Sequence, residues 1–116
     1  MKLLSPLIAG AALALNFAAS PASAAEGSID AGRQKNSMCV GCHGIPDYKT
    51  AYPVVYSVPR IGGQHAKYLA SALQAYKDGA RKHPTMRAIA ASLSEQDMAD
   101  LAAYYGAQGG AQTAAK

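Results

Sequence analysis

The chain contains few aromatic and few charged side chains. Of its 116 residues none is Trp and one is Phe, so seven Tyr supply nearly all the aromatic bulk, and only 16% of residues are charged. Because Ala buries little surface, a short chain rich in Ala and Gly forms a thin core. We therefore expect the fold to need a metal, a disulfide or a cofactor. The formal net charge of +4 is too small to indicate a nucleic-acid partner.

The chain also lacks an internal repeat and a convincing strand pattern. Alternation of polar and apolar residues occurs at most in residues 52–58, where Pro53 interrupts it and Pro59 follows it. One small domain of helices joined by loops is therefore predicted. The one long apolar run, residues 7–15, is too short to be a good membrane span.

The N-terminal segment has the pattern of a secretory signal peptide. Lys2 precedes the apolar run, and Ala22-Ser23-Ala24 is a small-x-small cleavage site. We predict that residues 1–24 are removed on export and that residues 25–116 form the mature domain. Cleavage one residue later also fits, and an uncleaved anchor is the alternative. No membrane span is expected after processing.

Three stretches of the mature chain have helical patterns. The first begins near Ser28 or Asp30 and continues into the cysteine segment; the second covers residues 64–78 and ends at Gly79; the third follows Ser94 and ends at Gly106. The third helix has an apolar face that we predict to be buried, made of Met98, Leu101, Ala102 and Tyr105. A short apolar turn is predicted over residues 88–91, and residues 106–116 should form a flexible tail.

A Pro- and Tyr-rich segment separates the first two helical stretches. Residues 45–59 contain three prolines and three tyrosines. This composition is unsuitable for a helix but too aromatic for a disordered linker. We predict a loop that packs against another part of the protein.

The only two cysteines lie in Cys39-Val40-Gly41-Cys42-His43, which is the C-x-x-C-H pattern of covalent c-type haem attachment. At positions i, i+3 and i+4 of a helical turn, the two thiols and the imidazole project from one side. The thiols can then bond to two vinyl groups while the imidazole reaches the iron.

Three other interpretations of these cysteines are open. A structural disulfide between Cys39 and Cys42 is compatible with export, but it leaves His43 unexplained. A thioredoxin-like redox pair needs a preceding strand, whereas helix and loop precede this motif. A Cys₂His₂ zinc site needs a close pair of histidines, and His65 and His83 are far apart in the sequence.

An iron held by His43 on one side needs a sixth ligand for electron transfer, and a Met thioether raises the reduction potential. Met38 is too close to the attachment segment, and Met98 belongs to an apolar stripe. His65 and His83 are interpreted as solvated surface residues. Met86 is our choice, because we expect it to lie in a loop, stiffened by Pro84 and far enough along the chain to reach the other face of a haem.

These motifs, together with Pro59-Arg60-Ile61-Gly62-Gly63-Gln64, Pro84-Thr85-Met86 and residues 93–105, resemble a class I c-type cytochrome of the small soluble monohaem bacterial kind. The resemblance covers nearly all the mature chain. It implies an all-α fold of about four to five helices around one haem c, attached through Cys39 and Cys42. It further implies His43 and Met86 as iron ligands and the Pro59 carbonyl as acceptor of the His43 Nδ1–H, which orients the ring.

The same resemblance implies that the first and last helices cross at Gly32, against Leu101 and Tyr104. Residues 45–58 have no counterpart in the generic pattern, so their role is open. The donors for the two haem propionates should come from Arg60, Gln64, Tyr68, Arg81 and the loop tyrosines.

The functional expectation is a periplasmic one-electron carrier, not an enzyme. Its partners would be a dehydrogenase, a membrane complex or a terminal oxidase, with no nucleic acid involved. The alternatives are a ligand- or peroxide-handling haem protein with a labile Met ligand and a haem-bearing docking subunit of a larger oxidoreductase. We expect electrons to cross at the exposed haem edge, surrounded by Lys35, Lys49, Lys82 and Arg87.

Overall fold

The computed structural model describes residues 25–52 and 54–108, so the predicted signal peptide and residues 109–116 lie outside the described residues. Five helices and one two-stranded hairpin follow one another: α1 (Ile29–Lys35), α2 (Ser37–His43), β1 (Lys49–Thr50), β2 (Tyr56–Ser57), α3 (Ala66–Lys77), α4 (Pro84–Ala91) and α5 (Glu95–Gly106). The expected all-α architecture is confirmed. Within the described ranges, no helix combines the length and hydrophobicity needed to cross a membrane.

The first predicted helix is two helices, because the chain breaks at Asn36. Ser28 caps α1 by accepting a hydrogen bond from the Ala31 amide. Asn36 then leaves helical geometry, with φ −80° and ψ 0°, and its carbonyl accepts from the amides of Cys39 and Val40 at 2.8 and 3.0 Å. Asn and Ser favour helix ends over helix interiors, although the Asn36 side chain makes no capping hydrogen bond here, and the 3.6-residue pattern alone did not reveal the break. The cysteine motif consequently lies on its own short helix.

Helices α1 and α5 cross at Gly32, which is buried. A Cβ atom at this position would overlap the backbone carbonyl of Asp100 and lie 2.7 Å from the Tyr104 Cβ. Tyr104 is therefore a contact of Gly32, as expected, but the second contact is the Asp100 backbone rather than Leu101. Leu101 instead points into the core, where it is 2% exposed.

The hydrophobic core is small and lies mainly between α3 and α5. Its buried members are Leu69, Leu93, Met98, Leu101, Ala102 and Tyr105. The predicted buried face of α5 is thus confirmed, including Met98 at 2% exposure.

The helix ends agree with the sequence signals. Gly79 adopts φ +80° just beyond α3, a conformation that L side chains rarely take. Ser94 caps α5 through a reciprocal pair of bonds with Asp97. The predicted apolar turn at residues 88–91 is part of a longer helix, α4. Gly106 is the last residue of α5 and residues 107 and 108 continue it as a 3₁₀ turn, so these three residues of the predicted flexible tail are helical, whereas residues 109–116 lie outside the described residues.

The Pro- and Tyr-rich segment forms a hairpin rather than an irregular loop. Strands β1 and β2 are antiparallel, with Lys49 opposite Ser57 and Thr50 opposite Tyr56. The Thr50 hydroxyl donates to the Val54 carbonyl at 3.0 Å across the turn. The apolar side chains at the turn, Tyr52, Val54 and Val55, are exposed.

A charged cluster fastens α1 to α5. The Lys35 ammonium lies 2.6 Å from Asp100 Oδ2 and 2.7 Å from Asp97 Oδ1. The Lys35 hydrogen bond is the main cause that holds the pKa of both carboxyl groups below the ordinary value. Lys35 was expected to belong to the charged rim of the exposed haem edge. It is instead engaged by two carboxylates of α5.

Candidate functional site

Helix α2 presents the two thiols on one side of its surface. Cys39 and Cys42 are free and partly buried, and no residue of α2 is fully buried. Cys39 packs against the hydrophobic core, and this burial raises the pKa of its thiol. The disulfide interpretation therefore has no support from the geometry.

The imidazole of His43 is oriented by the chain that follows the hairpin. His43 Nδ1 lies 2.8 Å from the carbonyl oxygen of Pro59. Because a carbonyl can only accept, Nδ1 carries the proton in this hydrogen bond, and Nε2 keeps its lone pair. The ring is thus held in the tautomer that binds a metal through Nε2.

A cleft of about 240 Å³ borders the contact between His43 and Pro59. Tyr105 lines this cleft, and its buried hydroxyl has no hydrogen-bond partner among the described residues. Burial raises the pKa of this phenol. Part of the Tyr105 side chain thus faces the cleft, while its hydroxyl is buried without a hydrogen-bond partner in the part of the chain that the structure describes.

Met86 lies on a helix, and the expectation that it lies in a loop was wrong. It occupies the third position of α4, after Pro84 at the first. Proline suits this position because its φ is already helical and its missing N–H would have no partner there. The Met86 side chain is partly buried, and its amide donates to His83 Nδ1 at 3.2 Å.

The other candidate ligands are placed differently. Met98 is in the core and Met38 is 46% exposed. His65 precedes α3, is exposed, and makes no capping bond with its side chain.

The interpretation of His83 as a solvated surface residue was wrong. Its ring meets Tyr56 edge to face at 4.9 Å and Tyr76 at 6.2 Å, measured between ring centroids. His83 also caps α4, a role that its sequence context did not indicate beyond the helix start that Pro84 marks.

The residues considered for the propionates are partly engaged within the protein. The Gln64 amide donates to the Arg60 carbonyl at 2.7 Å. Arg81 stacks on the Tyr76 ring at 4.7 Å and donates to the Tyr68 hydroxyl at 3.4 Å. The Arg60 side chain is exposed.

These donor groups fit a covalently attached haem. Two free thiols and an imidazole with an available Nε2 lie on one helical turn, and a partly buried thioether is available on α4. A zinc site is not supported, since within residues 25–52 and 54–108 no three His, Cys, Asp or Glu side chains come together to hold a metal ion.

Comparison with known proteins also agrees with a covalently attached haem. The family model described as Cytochrome c matches residues 29–105. The chain is 42% identical to cytochrome c-554(548) of Halomonas halodenitrificans over 71% of its own length and 98% of that protein. It is 37% identical to cytochrome c4 of Pseudomonas aeruginosa over 72% of its own length and 40% of that protein.

A further relative is the thiosulfate dehydrogenase electron acceptor of Stutzerimonas stutzeri, with 34% identity over 84% of this chain and 44% of the relative. The chain therefore spans less than half the length of this relative and of the cytochrome c4.

Proposed function

The chain belongs to the cytochrome c family and carries haem c, and on that premise we propose that it is a periplasmic one-electron carrier in which His43 and Met86 would bind the iron. Attachment of the haem is through the thiols of Cys39 and Cys42. When bound, the haem supplies an iron that changes reversibly by one electron between its ferrous and ferric states.

The observation that carries the proposal is the 2.8 Å contact between His43 Nδ1 and the Pro59 carbonyl. This bond fixes the ring plane and leaves Nε2 for the iron. It also makes the imidazole a stronger donor, because the carbonyl draws the Nδ1 proton toward itself. Pro59 therefore acts through His43 and does not touch the metal.

Met86 would supply the second protein ligand, and its place on α4 with a partly buried side chain supports this role. Its thioether is a soft, neutral ligand that favours the ferrous state and so raises the reduction potential. With both His43 and Met86 bound, the iron would have no position free for a substrate, which suits electron transfer without substrate chemistry.

Export to the periplasm is part of the proposal and is supported by the signal-peptide pattern of residues 1–24. A redox partner is supported by the relative that is named as an electron acceptor of thiosulfate dehydrogenase. We propose that the partner is a dehydrogenase, a membrane complex or a terminal oxidase. Transient contacts of this kind are small and are guided by charge, for which Lys49, Lys82 and Arg87 are exposed.

The test is a redox titration of the exported haem-loaded protein followed by visible spectroscopy. We expect reversible one-electron behaviour, a far-red sulfur-to-iron band in the oxidised form, and no carbon monoxide binding in the reduced form. Met86→Leu should abolish the band and allow carbon monoxide to bind, whereas the control Met98→Leu, in the core, should keep the wild-type spectrum.

The alternatives predict other results. Wild-type protein without the far-red band that binds carbon monoxide readily would be a ligand- or peroxide-handling haem protein. Isolation only as a fixed complex with an oxidoreductase would indicate a docking subunit.

A further inference from the structure

The ring of His83 lies where three elements meet. It directly precedes α4, and it packs edge to face against Tyr56 of β2, with ring planes at 87°, and against Tyr76 of α3, with ring planes at 75°. Edge-to-face contacts are directional, so they restrict rotation of the imidazole as well as its position. The His83 ring is therefore fixed by groups from both the hairpin and α3.

This fixed ring also makes the first hydrogen bond of α4. The amide of Met86 can only donate, so His83 Nδ1 is the acceptor in the 3.2 Å contact between them. Pro84 has no N–H to offer, and the bond therefore satisfies one of the few free amides at this helix end. Met86 therefore has its amide bound to His83 and its thioether assigned to the iron.

Arg81 in turn contacts Tyr76, one of the two rings that pack against His83. The Arg81 guanidinium lies 4.7 Å from the centre of the Tyr76 ring, on its face, and reaches the Tyr68 hydroxyl. Tyr76 thereby contacts both Arg81 and His83. The order of groups from the hairpin to α3 is Tyr56, His83, Tyr76 and Arg81.

We propose, on the basis of the proposed axial ligation, that His83 is a positioning residue for Met86 and that the hairpin contributes to the same task through Tyr56. The ring, held between Tyr56 and Tyr76, fixes the start of α4 and with it the backbone from which the thioether extends. The hairpin, whose role the sequence left open, thereby limits how readily the sulfur leaves the iron.

The test measures competition between Met86 and added imidazole for the ferric iron of the haem-loaded protein. Imidazole binding is followed by loss of the far-red band, which reports the sulfur ligand directly. Loss of a helix cap and of an aromatic contact predicts that His83→Ala binds imidazole about tenfold more tightly than wild type. Tyr56→Leu, which leaves His83 in place, should give about a threefold increase.

Two further variants separate the functions of the ring. His83→Asn keeps an acceptor for the Met86 amide but loses the ring contacts, and His83→Phe keeps a ring but loses the acceptor. Both should fall between wild type and His83→Ala. They also provide the comparison if His83→Ala does not accumulate with haem.

The matched control is Ser94→Ala, which removes the corresponding cap from α5, a helix without a proposed ligand. It should lower the midpoint of thermal unfolding and leave imidazole affinity unchanged. Imidazole affinity within twofold of wild type in the His83 variants, or an equal increase in Ser94→Ala, would overturn the positioning role. Absence of the far-red band from wild type would instead overturn the axial ligation itself.

Discussion

Helices α5 and α2 differ in how far the protein covers them. Five residues of α5 are buried, namely Met98, Asp100, Leu101, Ala102 and Tyr105, whereas α2 has none. Helix α5 packs against α1 and α3, whereas the two cysteines of α2 are only partly buried, with Cys39 in contact with the core. From this difference we expect α2 to depend on the haem for its stability more than α5 does.

Buried polar groups in the two regions also differ in whether they have hydrogen-bond partners. At the crossing of α1 and α5, the Asp100 carboxylate accepts from the Ser28 amide at 2.8 Å and from the Gln96 side chain at 2.9 Å, besides its contact with Lys35. Toward α2, the Tyr105 hydroxyl is buried without a partner within the part of the chain that is described. The buried carboxylate at the α1–α5 crossing therefore has several hydrogen-bond partners, whereas the buried hydroxyl of Tyr105 has none among the described residues.

The largest effect is expected from preventing haem attachment. The double variant Cys39→Ala/Cys42→Ala should lose most of its helical circular dichroism and its cooperative thermal transition, because the core is too small to hold α2 and α4 without the haem. Full helicity with a cooperative transition in the haem-free variant would contradict the comparison. The haem-loaded wild-type protein is the reference.

Substitutions of two glycines compare the tightly packed α1–α5 crossing with the surface of α2. Gly32→Val should lower the free energy of unfolding of the haem-loaded protein by about 3 kcal/mol or more, because the side chain would overlap the Asp100 carbonyl. Gly41→Ala in α2 is the matched control, since its Cβ meets no described atom within 4 Å.

Chemical denaturation should find that Gly41→Ala leaves the free energy of unfolding unchanged or raises it by up to about 1 kcal/mol. A marked loss in Gly41→Ala would show that this surface of α2 is covered in the haem-loaded protein.

A smaller effect is expected at the charged cluster. Asp100→Asn should lower the free energy of unfolding at pH 7 by about 2 kcal/mol, because a buried, hydrogen-bonded charge is lost. The folded state lowers the pKa of Asp97 and Asp100 below the ordinary value of 3.8. Their contribution is therefore fully present above that pH and decreases as the pH falls below it.

Denaturation between pH 2.5 and 7 should accordingly show wild type losing stability on acidification, with the gap to Asp100→Asn narrowing. The control Glu95→Gln, an exposed carboxylate in the first turn of the same helix, should keep the wild-type slope. If the difference in unfolding free energy between wild type and Asp100→Asn stayed constant with pH, the charge of Asp100 would not contribute to stability.

Much of the architecture could be predicted from the sequence, because its signals are local. The stripe of Met98, Leu101 and Tyr105 and the caps at Ser94 and Gly79 each depend on residues within a few positions of one another. The spacing of Cys39, Cys42 and His43 likewise places three side chains on one turn of any helix.

The sequence left several local features and several contacts between distant segments unpredicted. The break at Asn36, the hairpin of residues 49–57 and the helical position of Met86 are local features that competing signals obscured. Other features depend on partners far along the chain: Lys35 is engaged by α5, and His83 is held between β2 and α3.

By itself the sequence determined the cofactor class and the helical content, since covalent attachment needs a fixed spacing of thiols and imidazole and helices follow from short-range periodicity. Only the tertiary structure decided which carboxylates engage Lys35 and which aromatic rings fix His83. Those contacts join residues that are separated in the chain, and they exist only after packing has brought the helices and the hairpin together.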